Sequence, residues 1–281
     1  MRTIQNGSAL AAEIASYRAA GEKIAFVPTM GALHDGHLSL VALARSRASR
    51  VVASIFVNPS QFAPHEDFDA YPRPLARDSE LLAGAGCDIL FAPDRATVYP
   101  PGFGTWIEPQ GAALGFESAI RPHFFRGVAT VVARLFGLVH PDLAVFGEKD
   151  YQQLLVIRRM ARDLDLGVEV VGCPIVREAD GLAMSSRNIY LSGDERRQAP
   201  RLHAGLVAAR ELFGVGERNS DVLKNAVARE IAAAPSFELQ YVEIVEVDRF
   251  TPLPEVDDRG LVILAAKLGS TRLIDNLKLE R

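Results

Sequence analysis

Residues 23–48, "KIAFVPTMGALHDGHLSLVALARSRA", set the pattern from which the rest of the chain can be read. The apolar run Ile24–Val27 closes on Pro28 and Thr29 and has the length and composition of a buried strand. Two glycines, Gly31 and Gly36, punctuate the segment after it. Beyond them Leu38, Leu40, Val41, Ala44 and Ala48 recur near helical spacing, so a strand hands over to a helix with His34 and His37 at the join. The same alternation continues outward. "VVASIFVN" (51–58), "DILFAP" (88–93), "LAVFG" (143–147) and "VEVVGCPIV" (168–176) are short apolar runs separated by amphipathic segments. Strands alternating with helices predict an α/β fold with a parallel sheet, whose ligands gather at the carboxyl ends of the strands.

The texture changes after about residue 176. A turn at "EADG" and the polar "MSSRN" lead into "SGDERRQAPRLHAGLVAARELF", which reads as one long helix opened by a Ser192/Glu195 capping box. A further helix near 220–233 and the strand-like "FELQYVEIVEV" and "GLVILAAKLG" complete a smaller α+β region. Two domains, 1–175 and 176–281, are therefore expected.

Composition narrows the function classes. Apolar residues make up 48% and charged residues 23%, which suits a folded chain with a sizeable core. Thirty-one Lys and Arg against 35 Asp and Glu give a net charge of −4 with no long basic block, which argues against a nucleic-acid partner. The first twenty residues contain no continuous apolar segment of the signal-peptide kind, and no stretch approaches the roughly 20 apolar residues that span a bilayer. A cytoplasmic protein without a membrane partner is expected. Cys87 and Cys173 cannot form a Cys-x-x-Cys motif or a disulfide framework and are expected to be buried, reduced and inert.

Four stretches carry residues suited to chemistry. In the first, Gly31 and Gly36 permit close backbone approach, the helix start offers N–H groups, and His34 and His37 can donate to phosphate oxygens. An isolated His-x-x-His is equally consistent with two solvated histidines on a glycine-rich turn, and a metal site that includes Asp35 is a third reading. In "FGEKDYQQL" (146–154), Lys149 stands at a strand's carboxyl end with the reach to meet phosphate. Asp150 followed by Gln153 is explained as well by a helix cap as by ligand binding. "FVNPSQF" (56–62) places Gln61, an amide suited to a small polar substrate, after an Asn58-Pro59 turn. "GLAMSSRN" (181–188) supplies Ser185, Ser186 and Arg187, which beside a phosphate site could grip a polyphosphate. No Ser or Cys has an evident activating base, so a covalent nucleophile is not expected.

Together "PTMGALHDGH", "FVNPSQF", "GEKDYQQL" and "VREADGLAMSSRNIYL", in this order and over nearly the whole chain, closely resemble the pantoate:β-alanine ligase family of the nucleotidylyltransferase superfamily. The resemblance implies a Rossmann-like ATP- and pantoate-binding domain over 1–175 and a smaller α+β lid domain over 176–281. It implies ATP-dependent condensation of (R)-pantoate with β-alanine, giving pantothenate, AMP and pyrophosphate through a pantoyl adenylate. The family's ATP-binding segment falls on Met30, Gly31, Ala32, Leu33, His34, Asp35, Gly36 and His37, with His37 in the place assigned an acid role. Gly147, Glu148, Lys149 and Asp150 match its nucleotide site, as do Val176 near the adenine and Met184, Ser185, Ser186 and Arg187. Gln61 and Gln153 match its pantoate contacts, Gln61 being shared with β-alanine. His37, His34, Lys149 and Arg187 are the implied catalytic group. ATP chemistry implies Mg2+, for which Asp78 is the ligand offered by family position, and a homodimer is implied. One departure stands out. "RPHFFRGV" puts Phe124 where the family usually has a histidine and His123 one place early, leaving Phe124 to the core or His123 to substitute. Val131 and Val132 could line an apolar pocket for pantoate or serve ordinary packing. Two rival readings are an adenylyltransferase of the same superfamily acting on a phosphorylated acceptor, and a non-catalytic nucleotide-sensing module.

Overall fold

The computed structural model describes residues 1–63 and 68–281. By internal contacts the chain divides into two compact units, one of residues 1–148 and 152–174, the other of residues 149–151 and 175–281.

The first unit is built on a six-stranded sheet in which every adjacent pair is parallel. Its strands are β1 (Arg2–Ile4), β2 (Ile24–Thr29), β3 (Arg50–Ile55), β4 (Ile89–Phe91), β5 (Leu143–Gly147) and β6 (Glu169–Cys173), in spatial order β1-β4-β3-β2-β5-β6. The helices are α1 (Gly7–Ala19), α2 (Asp35–Arg47), α3 (Leu75–Gly84), the short α4 (Arg95–Val98) and α5 (Glu117–Ile120), then α6 (Phe124–Val139) and α7 (Tyr151–Asp163).

Alternation along β2 explains why its run is continuously apolar. Ile24 and Phe26 join one core cluster with α1, α6 and α7, whereas Ala25 and Val27 join a second with α2 and α3. A strand covered on both faces has no solvent side, so period-2 polarity disappears. Both residues of each pair are fully buried, and a buried Phe or Ile contributes about 1.5–3 kcal/mol. β1, with three residues, is too short to have shown in the apolar runs.

The neighbours of β2 are β3 on one side and β5 on the other. Successive crossovers thus diverge at β2, and the crevice outside the carboxyl ends of β2 and β5 is the usual ligand position in such sheets.

The second unit carries an antiparallel sheet, β7-β8-β9, formed by β7 (Phe237–Val245), β8 (Arg259–Leu268) and β9 (Thr271–Glu280). Its helices are α8 (Gly193–Gln198), α9 (Arg201–Gly214) and α10 (Ser220–Ala232). Leu206 and Phe213 of α9 and Leu223 and Val227 of α10 share a core with Val262 and Leu264 of β8. The expected α+β character is observed.

Two expectations need correction. The long helix expected over 192–213 is two helices, because Ala199 and Pro200 separate α8 from α9. A proline has no N–H for the helical ladder, and its ring crowds the carbonyl four residues earlier. The Ser192/Glu195 capping box does form: Ser192 N–H donates to Glu195 Oε2 at 2.7 Å and Glu195 N–H to Ser192 Oγ at 3.3 Å. The other correction is β9, which the apolar runs did not reveal. It is the longest partner of β8 and carries three buried polar residues, Thr271, Asp275 and Asn276.

Candidate active site

The turn from β2 into α2 is held by side chains from neighbouring strands and helices. Thr29 Oγ1 donates to Ser54 O of β3 at 2.8 Å and accepts from Gly31 N–H at 3.2 Å. Gly31 has φ +86°, which strains any side chain, and a Cβ built there would crowd Asp78 Oδ2 at 3.0 Å and Ile55 Cγ2 at 3.1 Å, so both backbone and space favour glycine. Ala32 follows at φ +52°. Asp78 of α3, 1% exposed, accepts from Ala32 N–H at 2.8 Å through Oδ2 and from Leu33 N–H at 2.9 Å through Oδ1. One buried carboxylate therefore fixes two successive peptide groups of the turn through charge-assisted bonds.

The two histidines open α2. His34 is the N-cap and its Nδ1 accepts from Gly36 N–H at 3.2 Å, while His37 Nδ1 lies 3.4 Å from His34 N–H. Their ring centroids are 4.1 Å apart. Because a ring nitrogen that accepts an N–H cannot itself carry a proton, a neutral imidazole in this setting is the Nε2–H tautomer. Both rings are thus set to donate through Nε2 beside the first turn of a helix, where backbone dipoles favour an anion. Among the described residues no group of three or more His, Cys, Asp and Glu side chains is arranged to hold a metal ion.

Gln61 lies after β3 in a 3-10 turn, Pro59–Gln61, capped by Asn58. Asn58 is 1% exposed and organises this turn rather than merely starting it. Its Oδ1 accepts from Tyr99 OH and Ser60 Oγ, each at 2.8 Å, and its Nδ2 donates to Gly127 O at 3.2 Å and to Gln61 Oε1 at 3.1 Å. With Oε1 so engaged, the Gln61 amide presents Nε2, which is 2.9 Å from Met30 Sδ. Met30 and Gln61, far apart in sequence, are brought together. Arg121 Nη2 donates to Gln61 O at 2.9 Å, and its guanidinium lies over the Phe124 ring at 3.9 Å from the centroid. Phe124 packs partly buried against the core, and His123 is exposed beside it. Val131 and Val132 are buried in the same core cluster.

On α7, Gln152 is buried and donates to Ala112 O at 2.9 Å, whereas the adjacent Gln153 is half-buried. Gly147 ends β5, and Glu148 begins the 3-10 turn after it.

Lys149 and Asp150 come next in sequence and belong to the second unit, where Lys149 Nζ is 3.7 Å from Asp150 Oδ2. Val176 O accepts from Met184 N–H at 3.0 Å, and Arg177 bridges to Ala183, so the 177–183 turn folds back on itself. Ser185 caps a 3-10 helix, Ser186–Tyr190, its Oγ accepting from Arg187 N–H at 3.3 Å. The second unit thus groups Val176 with Met184, and Ser185 with Ser186 and Arg187.

Both cysteines are free and buried. Burial pushes the Cys87 thiol up to about 11, and burial likewise raises Cys173, which lies 3.6 Å from Ser39 Oγ. Neither is a nucleophile at neutral pH. Residues that the sequence reading passed over are Asn58, taken as a turn former, and Arg121. The signal for Asn58 was its place two residues before the amide Ser60-Gln61 step, where an Asx side chain can bond forward.

A parallel α/β sheet whose central strand delivers two Nδ1-anchored histidines to a helix N-terminus at the switch point defines a protein of the Rossmann-like class with donors placed for an anion. Comparison with known proteins makes the assignment specific. A family model described as pantoate-beta-alanine ligase matches residues 2–278, and the chain belongs to that family. It is 54% identical over 267 residues to a pantothenate synthetase of Caulobacter vibrioides, a match that covers 94% of this chain and 93% of that one. The crystal structure of pantothenate synthetase from Thermus thermophilus is similar with a TM-score of 0.92 at 50% identity, covering 100% of both chains. That of the pantoate-beta-alanine ligase of Francisella tularensis, complexed with beta-gamma ATP and beta-alanine, is similar with a TM-score of 0.78 at 33% identity, covering 99% of this chain and 97% of that one.

Proposed function

We propose that this chain is an ATP-dependent amide-forming ligase that condenses (R)-pantoate with β-alanine to give pantothenate, AMP and pyrophosphate. Membership of the family supports the overall reaction, and the anchored pair His34 and His37 is the observation that carries the chemistry. A carboxylate is a poor acyl electrophile, so activation comes first. A pantoate carboxylate oxygen attacks the α-phosphorus of ATP, the bond to the bridging oxygen breaks, and pyrophosphate leaves with that electron pair. The neutral amine of β-alanine then attacks the acyl carbon of the mixed anhydride, the acyl C–O bond breaks with AMP taking that electron pair, and the proton lost from the amine nitrogen passes to solvent.

In this reading His34 and His37 donate through Nε2 to phosphate oxygens and stabilise charge that grows in the transition state. That role suits His37 better than proton donation, since an attacking carboxylate has no proton to lose and pyrophosphate leaves readily when bound by donors and cations. Lys149 and Arg187 offset phosphate charge, the one as a mobile point and the other as a planar fork, and Ser185 and Ser186 add hydroxyl donors. The backbone of Met30, Gly31, Ala32, Leu33, Asp35 and Gly36 forms the nucleotide turn, with Gly147, Glu148, Asp150, Val176 and Met184 completing the nucleotide contacts. Gln61 and Gln153 orient pantoate through their amides, Gln61 serving β-alanine as well.

Magnesium accompanies ATP and is proposed to be held by phosphate oxygens and water, as is common for this ion. Asp78 does not suit it: the side chain is 1% exposed and each oxygen already takes a main-chain N–H, so its work is to hold the turn. Family membership is also the ground for proposing a cytoplasmic homodimer with small-molecule partners only. The net charge of −4 supports the expectation that nucleic acid is not a partner, and no helix among the described residues is long and apolar enough to cross a membrane.

The test supplies ATP and magnesium. Isotope exchange between pyrophosphate and ATP is expected only when pantoate is added, and net AMP release only when β-alanine is added too. Exchange driven instead by a phosphorylated acceptor would make the chain an adenylyltransferase, and ATP binding with no turnover would make it a sensor.

A further inference from the structure

One buried polar cluster of the second unit has no task in the proposed reaction. Arg177 meets Asp275 with two parallel hydrogen bonds, Nη1 to Oδ2 at 2.7 Å and Nη2 to Oδ1 at 3.0 Å, and the Asp275 side chain is 1% exposed. The same guanidinium donates to Gly181 O at 3.0 Å and to Asn276 O at 3.2 Å. Asn276, 5% exposed, receives order from its neighbour, since its N–H donates to Asp275 Oδ1 at 2.8 Å. Its own Nδ2 donates to the main-chain carbonyl of Lys149 at 2.9 Å.

Stability is a weak reason for such a cluster. Taking an ion pair out of water costs about as much as the pair returns, and an apolar replacement of the same shape is often neutral. What the geometry does supply is orientation. Two consecutive residues of β9 hold both ends of a phosphate grip: Asp275, through Arg177, closes the 177–183 turn that leads into Ser185–Arg187, and Asn276 fixes the peptide of Lys149. A third contact acts in the same sense, with Lys278 Nζ lying 5.8 Å from the Tyr151 ring centroid. The segment 149–151 accordingly groups with the second unit although its chain neighbours on both sides belong to the first.

We propose that Asp275 and Asn276 are positioning residues that hold Lys149 and Arg187 in one rigid frame for binding the triphosphate. This rests on the phosphate-binding roles given to Lys149 and Arg187 in the proposed function. Neither β9 residue needs to touch substrate; each acts through a cation.

The experiment is a double-mutant cycle read in ATP affinity by calorimetry and in pantoate-dependent exchange kinetics. Asn276→Ala is expected to weaken ATP binding and to raise the KM for ATP by roughly tenfold to a hundredfold, the scale of a misplacement of about 1 Å. The KM for pantoate should stay within about twofold of the parent, which a general loss of structure would not allow. Added to Lys149→Ala, the same substitution should change ATP affinity by less than about twofold, because the main-chain contact remains but the ammonium it positions has already gone. Equal losses in the two backgrounds, or an unchanged KM for ATP in Asn276→Ala, would overturn the proposal. Should Asn276→Ala fail to fold, Asp275→Asn, which loosens Arg177 and spares the Lys149 contact, is read in the same cycle against Arg187→Ala. A parent protein that binds ATP and shows no exchange would sink the catalytic reading alone, and the affinity cycle would still decide the positioning claim.

Discussion

The imidazoles of His34 and His37 are aimed by main-chain N–H groups of their own turn, so their useful atoms are fixed before any substrate arrives. Preorganised donors of this kind are worth more than mobile ones because no reorganisation accompanies the reaction. His37→Gln keeps an amide donor and loses the anchored ring. Pantoate-dependent exchange between pyrophosphate and ATP should fall by about 10²- to 10³-fold, with the protein still folded; an unchanged rate of adenylate formation would remove His37 from the mechanism. Asp78 shows the same logic one step further from the chemistry. Asp78→Asn replaces one acceptor by a donor facing a main-chain N–H, so a loss of about 2 kcal/mol is expected from a buried charge-assisted bond. Urea denaturation would read it, and an unshifted midpoint would show that Ala32 and Leu33 do not depend on the carboxylate. Legibility at this scale was uneven. His34, His37, Lys149 and Gln61 were visible because residue type and place at a strand end suffice to suggest chemistry. Asn58, Arg121 and the true partners of Asp78 were not, since each is defined by atoms 45 or more residues away in at least one contact, such as the 69-residue separation between Asn58 and Gly127.

The decisive packing of an element against its site is that of α6 on the Pro59–Gln61 turn. A Cβ built on Gly127 would fall 2.4 Å from Ser60 O and 2.8 Å from Gln61 N, both main-chain atoms with little room to yield. Gly127→Ala should therefore push the turn away, destabilise the fold by about 1–3 kcal/mol, and raise the KM for pantoate more than that for ATP. Equal effects on the two substrates would show that α6 does not set the position of Gln61. Apolar periodicity revealed α2 because its buried residues Leu40, Val41 and Ala44 recur at helical spacing, and the central strands because both of their faces are covered. It failed for β9, whose "RLIDNLK" puts Asp275 and Asn276 in the interior; those residues disfavour strands unless a partner such as Arg177 awaits them, 98 residues away. It also ran α8 and α9 together, where local chemistry at Pro200 outweighed a continuous helical pattern.

At the level of the whole molecule, stability should respond to acid partly through His203 of α9. Burial, and then the positive charge of Arg177, hold this imidazole below its ordinary value of 6.5, with Asp275 opposing and Arg210 adding to the shift. The unfolded chain then binds the proton more readily than the folded one, so the contribution is complete above about pH 6.5 and is lost as pH falls from there through the depressed value. Thermal midpoints should decline between pH 7 and 5, and His203→Gln should flatten that decline; parallel curves for the two proteins would exclude His203 as a source.

The amino-acid sequence by itself determined the alternating α/β plan, the α+β character of the second half and the strand-end residues that carry chemistry. Each of these follows from local composition and from which side chains must leave water. Only the tertiary structure decided the strand order that puts β2 at the switch point, the engagement of Asp78 with the turn, and the grip of β9 on Lys149. Those features depend on hydrogen bonds between distant segments, whose directions exist only after the chain has closed on itself, and no spacing along the chain encodes an angle between two groups that meet across the fold.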